Sequence, residues 1–161
     1  MNKELFSGVL LRFVTNQELS ISKRKLKKLI FLDSRNPIEI SVALENVQSL
    51  SDYKEIAQST DSSGRNFIAF SKITVGDVIA NDGKTTLDND PFEGHANILF
   101  DFIIEDNKPL PNALKDRIIN LQKSSLILID SNLSEDEFRA DIYTVDQVNH
   151  KKLVIQSEYT I

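Results

Sequence analysis

The chain has 161 residues, 40% hydrophobic and 27% charged, with a formal net charge of −5 and no cysteine. That balance excludes an intrinsically disordered composition, and the missing thiols exclude disulfides, thiolate nucleophiles and sulfur-ligated zinc. The acidic excess argues against a protein that coats nucleic acid, and no window approaches the ~18 consecutive apolar residues of a membrane helix. A single domain spanning 1–161 is expected, with no signal-peptide core at the N-terminus and a cytoplasmic location.

In chain order, the apolar run LFSGVLLRFV at 5–14 reads as a buried strand, with Gly8 as a bulge or close-contact point. Its single charge, Arg12, belongs either where the strand reaches solvent or where a guanidinium holds an anion or carboxylate. ISKRKLKKLIFL follows. On a helix over 20–32 its leucines form one stripe, while Lys23, Arg24, Lys25, Lys27 and Lys28 cover the rest. Such a run is a solvated face or a phosphate or nucleic-acid contact, although no aromatic residue interleaves the cations to stack on bases.

IEISV at 38–42 alternates as a half-buried strand does. SLSDYKEIAQ at 49–58 predicts a short helix capped by Ser51. The polar STDSSG at 59–64 predicts a loop, with the composition of a lid or of a plain surface connection. Another short strand is expected at 66–70. Thr74 then caps a helix over 75–80, which Asn81-Asp82-Gly83 ends. An extended piece at 84–87 leads to the turn Asp88-Asn89-Asp90-Pro91.

From 96 to 104 strand formers dominate, with alternation at Ile98, Phe100, Phe102 and Ile104. Past a loop at 105–111, Asn112 caps an amphipathic helix over 113–123 that carries Leu114, Ile118 and Leu121 on one face. SLILID at 125–130 is a short apolar strand. Ser134-Glu135-Asp136-Glu137 has the form of a capping box, which starts a helix through about Ala140, and 152–161 closes the chain as a strand. The expected architecture is α+β: a mixed or mainly antiparallel sheet built from 5–14, 38–42, 66–70, 96–104, 126–129 and 152–161, with three to five short helices.

One local constellation suggests chemistry. Asp88, Asp90, Glu93 and His95 bring three carboxylates and one imidazole within eight residues, with Asp101 not far beyond. A divalent metal needs oxygen and nitrogen donors that converge, and a turn supplies convergence, so Asp88, Asp90 and Glu93 are candidate ligands. The spacing matches neither the helical His pair of zinc proteases nor a calcium loop. His95 is also a candidate general acid or base, and a purely structural turn is the third reading. His150 lies in a polar approach to the last strand and reads as exposed. No phosphate-binding glycine loop and no Gly-x-Ser-x-Gly elbow occurs.

Pro91-Phe92-Glu93-Gly94-His95-Ala96-Asn97-Ile98 resembles a motif of small bacterial proteins of unassigned function, in which proline, a few residues and His-Ala-x-aliphatic follow a short helix and a divergent linker. Leu11-Arg12 is similar to their early aliphatic-arginine strand, and Ile40-Ser41-Val42 to a later Ile/Leu-Ser-Val. The likeness spans roughly residues 5–104 and brings no activity with it. It implies that Arg12, Ser41 and His95 share one surface.

Three functional expectations follow. The first is a non-catalytic interaction protein, an accessory subunit with a protein partner in a bacterial intracellular system, because catalytic signatures are missing. The second is a small hydrolase or transferase acting on a phosphate-bearing substrate, with Arg12 on the anion, His95 as acid or base near Asp90 and Glu93, and Ser41 on the same surface. The third is nucleic-acid binding through Lys23–Lys28. No organic cofactor is implied, and a divalent metal at the 88–93 turn is the one cofactor these residues suggest.

Overall fold

Strand β2 (Val9–Thr15) sits in the middle of the molecule and sets the fold around it. The structure, a computed structural model, describes residues 2–20, 25–33, 36–130, 139–145 and 153–160, with side chains at 2–20, 26–33 and 36–129. Its other strands are β1 (Lys3–Leu5), β3 (Leu19–Ser20), β4 (Lys25–Leu26), β5 (Glu39–Leu44), β6 (Phe67–Thr74), β7 (Gly83–Leu87), β8 (His95–Phe100), β9 (Leu126–Asp130), β10 (Arg139–Val145) and β11 (Leu153–Thr160). The helices are α1 (Leu50–Gln58), α2 (Val75–Ala80) and α3 (Asn112–Ser124). Nine strands form one sheet in the order β1-β7-β8-β5-β2-β6-β9-β10-β11, while β3 and β4 pair separately. Every neighbouring pair is antiparallel. The α+β expectation holds, and among the described residues the sheet has no parallel pair.

Alternation along the strands sends two sets of side chains to opposite faces. Leu10, Val14, Ile40, Val42, Ile73, Ala96, Ile98 and Phe100 join Leu114, Ile118 and Leu121 of α3 and Val75 and Val78 of α2 in one core. Leu11, Ala43, Phe67, Phe70 and Leu128 meet Tyr53 and Ala57 of α1 in the other. Ser41, His95 and Asn97 follow the same alternation, so they lie on the α1 side of β5 and β8.

Several local expectations give way to tertiary context. The 5–14 run is two strands, not one. Gly8 breaks it with φ of 121°, and a Cβ there would stand 3.0 Å from Leu44 Cδ1. The helix expected over 20–32 is not formed by the described residues of that stretch. Leu19 pairs with Leu26, and the Lys27 amide donates to the Glu18 carbonyl at 2.8 Å, so the backbone bonds run across a hairpin and not up a helix. Lys23 and Arg24 lie outside the described residues.

Ser49, not Ser51, caps α1 by accepting from the Asp52 amide at 3.0 Å. Thr74 caps α2 as expected, and Asp77 completes a capping box with it that the sequence reading does not include. Pro111 precedes α3, and Asn112 is its first residue without a side-chain cap. The ladder of β8 ends at Phe100, although Phe102 and Ile104 still pack on the core and Ile103 is 87% exposed. Arg139 and Ala140 are strand, not the end of a helix, because β10 is captured between β9 and β11. The capping box at 134–137 and His150 lie outside the described residues. No helix among those residues is long and apolar enough to cross a membrane.

The segment after β4 has no ladder of its own and is held by side chains. Ile30 is fully buried. Its amide donates to Gln122 Oε1 at 2.8 Å and its carbonyl accepts from Arg12 Nε at 3.1 Å. Replacing Gln122 by leucine leaves the buried Ile30 amide without an acceptor. Urea unfolding is therefore expected to report a loss of about 1–3 kcal/mol, where an exposed α3 substitution such as Lys115→Leu leaves stability near that of the parent.

Candidate functional site

β2 pairs with β6 along its whole length, from Val9↔Thr74 to Thr15↔Phe67, yet with β5 only at Leu10↔Leu44 and Leu11↔Ala43. Past those two pairs the strands part. Arg12 reaches into the gap, where its NH1 donates to the Ser41 carbonyl at 2.8 Å while Nε holds Ile30. A carbonyl that a neighbouring strand would normally satisfy is thus satisfied by a guanidinium.

Two cavities lie beside the gap, and Arg12, Phe13 and Ser41 border both. The smaller, of about 170 Å³, is completed by Leu11, Val42, Pro91, Phe92 and His95. The larger, of about 520 Å³, takes in Glu18, Lys28, Asp33 and Arg65 among its walls.

At the mouth of the smaller cavity three side chains form a hydrogen-bonded relay. His95 Nε2 is 3.2 Å from Ser41 Oγ, and His95 Nδ1 is 2.5 Å from Asp88 Oδ1. Asp88 is ionised at neutral pH and only accepts, so Nδ1 carries a proton toward it and, in the neutral imidazole, Nε2 is left to accept from the Ser41 hydroxyl. The other carboxylate oxygen, Asp88 Oδ2, accepts from Asn97 Nδ2 at 2.9 Å, and the Asp90 amide donates to Oδ1 at 3.2 Å. Burial pushes the Asp88 carboxyl up, but the His95 hydrogen bond, the Asp90 amide, the His95 charge and Asn97 outweigh it and hold the group below its ordinary value. His95 is 8% exposed and Asp88 20%, whereas Ser41 is open to solvent.

The turn that carries Asp88 is closed on the histidine itself. The amides of Asp88 and Asn89 both donate to the His95 carbonyl at 3.1 Å. Asn89 Oδ1 accepts from the Gly94 amide at 2.8 Å. Gly94 has φ of 91°, and a Cβ there would collide with the Tyr53 hydroxyl, which itself donates to the Leu44 carbonyl at 2.7 Å. Phe92 stands edge-on to the His95 ring at 5.2 Å and stacks on Phe13 at 6.0 Å, which walls the imidazole off on its apolar side.

Arg12, Ser41 and His95 therefore meet. Asp88, expected with Asp90 and Glu93 as a metal ligand, points its oxygens at His95 and Asn97 instead. Among the described residues no three acids and histidines lie close enough to hold a metal ion, because Asp90 and Glu93 are exposed on the far part of the turn while Asp88 faces the sheet. The partnership of Asp88 with His95, and the part Asn97 takes in it, are absent from the sequence reading. Period-two spacing places His95 and Asn97 on one face of a strand, and that was the available signal.

In the basic run, Lys27 donates to the Asn16 carbonyl at 2.9 Å and Lys28 faces the larger cavity, so no helical face of cations is present among the described residues. Glu18 lines that cavity too. Burial pushes its carboxyl up, against the charge of Arg12, the hydrogen bonds from Thr15 and the charge of Arg65. No family model, curated protein or solved structure matches the chain.

Two outcomes test this geometry. Gly94→Ala forces a β-carbon into Tyr53 and a side chain into positive φ. A destabilisation of about 1–3 kcal/mol or more is expected in chemical denaturation, with the exposed Lys115→Ala as the comparison. Asp88 titrates below its unfolded value near 3.8, so its ionised form stabilises the fold above that pH and the benefit disappears as pH falls through the folded value. The stability gap between the parent and Asp88→Asn is accordingly expected to be full at pH 5 and above and to close below about pH 4, as read by urea unfolding across that range. A gap that does not change with pH assigns the carboxylate no such role.

Proposed function

We propose that the protein is a small serine-dependent hydrolase or acyl transferase. The single observation that carries this reading is the Ser41–His95–Asp88 relay opening on a cavity. A hydroxyl, an imidazole and a carboxylate in hydrogen-bonded sequence are the parts of an activated nucleophile, and this arrangement is recognised by roles and not by chain order. Ser41 is accessible while the base and its orienting acid are sheltered, which suits attack on a bound substrate.

The roles follow from the donors. Ser41 Oγ attacks a carbonyl carbon as its proton passes to His95 Nε2, and the C=O electron pair moves onto oxygen. Collapse of that intermediate expels the leaving group, which takes the proton from Nε2 and leaves an acyl ester on Oγ. Water then attacks the acyl carbon, gives a proton to Nε2, and Oγ recovers that proton as the acid departs. Asp88 keeps the Nδ1 proton in place and stabilises the imidazolium, and Asn97 and the Asp90 amide fix the carboxylate. Arg12 places a positive charge beside the serine, with its NH1 donating to the Ser41 main-chain carbonyl at 2.8 Å. A phosphoryl centre, the substrate class that Arg12 first suggests, offers the same nucleophile an alternative electrophile.

The direct test is labelling with a fluorophosphonate, which modifies only activated serines. One adduct is expected, on Ser41 by peptide mass, and none in Ser41→Ala. Asp88→Asn is expected to retain the fold and to slow labelling and ester hydrolysis by about 10²–10⁴-fold. Absence of labelling in a folded protein together with absence of Ser41-dependent turnover rejects the enzyme and returns the relay to a structural role.

A further inference from the structure

Ser41 borders both cavities, whereas His95 borders only the smaller one. That asymmetry orients a substrate. In acyl transfer the imidazole that accepts the serine proton delivers it to the departing atom, so the leaving group lies on the His95 side and the acyl chain extends to the other. On the His95 side the walls are Leu11, Phe13, Val42, Pro91 and Phe92, around about 170 Å³, enough for one ring or a short alkyl group.

The opposite side is a cavity of about 520 Å³ that carries Arg12, Lys28 and Arg65 against Glu18 and Asp33. The acids there are already engaged. Glu18 Oε1 accepts from the Thr15 amide and hydroxyl at 3.2 and 3.4 Å, and Asp33 has an interaction of its own. Arg12 is anchored on backbone carbonyls next to the nucleophile. Lys28 and Arg65 are the cations on the exposed wall, in a chain whose overall charge is −5.

Resting on the reading of Ser41 as nucleophile, we propose that the substrate is a carboxylic ester of a small apolar alcohol whose acyl chain ends in a negatively charged group. The alcohol occupies the Phe13–Phe92 pocket, and the acyl anion lies in the larger cavity against Lys28 and Arg65. Hydrolysis consumes one water and releases the alcohol, a dianionic acid and one proton, with no other reactant.

Two chromogenic esters with the same leaving group separate this assignment from the reading beneath it. Mono-4-nitrophenyl glutarate carries the distal anion and 4-nitrophenyl valerate is its neutral counterpart. The parent protein is expected to prefer the glutarate in kcat/KM by ~10-fold, the scale of one charge-assisted contact. In Lys28→Gln/Arg65→Gln, checked for folding by thermal melting, the preference is expected to fall toward unity through a rise in KM for the glutarate, and high salt is expected to reduce it in the parent.

Equal use of the two esters overturns the anionic acyl chain, a preference that survives the double substitution overturns its placement against Lys28 and Arg65, and both leave Ser41 as nucleophile. Hydrolysis that continues unchanged in Ser41→Ala, or no hydrolysis of either ester, overturns the nucleophile and the substrate class together.

Discussion

The separation of β2 from β5 after two residue pairs is the feature on which the site depends. In a regular sheet the Ser41 carbonyl would be bound to a neighbouring amide, and the ground between the strands would be closed. Here Arg12 satisfies that carbonyl from the side, and its other bond ties the gap to the buried turn at Ile30. The guanidinium is suited to this work because it stays charged and offers several donors in a fixed plane. It satisfies the Ser41 carbonyl where the strands part, and both cavities open along the gap.

The sheet divides labour between its faces. One face is an aliphatic core sealed by α2 and α3, and it contributes rigidity. The other carries α1, a cluster of aromatic rings and the relay. Ser41 and His95 stand on β5 and β8, whose pairing of Ser41 with Asn97 and Ala43 with His95 fixes their diagonal approach. A site held by strand register is more exact than one assembled on loops. Register also protects it, since a slip by one residue would turn Val42 outward and bury Ser41.

Much of the fold could be read from the residues, for reasons of local physics. Alternation disclosed β5 and β8, the Thr74 cap disclosed α2, and the four–three spacing of Leu114, Ile118 and Leu121 disclosed α3. The basic stretch was misread because leucine spacing over 26–32 is compatible with a helix. The bond from Lys27 to Glu18, which prevents one, is a tertiary contact. The site was half legible. His95, Ser41 and Arg12 stood out, and Asp88 was grouped with Asp90 and Glu93, whereas its oxygens bond His95 and Asn97. A row of acids in a turn does not declare which of them faces the sheet. Ser41 and His95 are 54 residues apart, so no local motif records their meeting.

The relay joins two parts of very different range. Asp88 and His95 are separated by seven residues and close the turn between β7 and β8, whereas Ser41 is brought in across 54. By loop-closure entropy the longer contact costs about 2 kcal/mol more to establish than the shorter. Asp88 and His95 are therefore a hairpin-scale unit that needs only β7 and β8 to pair, while Ser41 joins only when β5 docks alongside them. Partial opening of the sheet between β5 and β8 separates the serine from an imidazole–carboxylate pair that remains intact. The contact between Ser41 and His95 thus marks completion of the sheet itself.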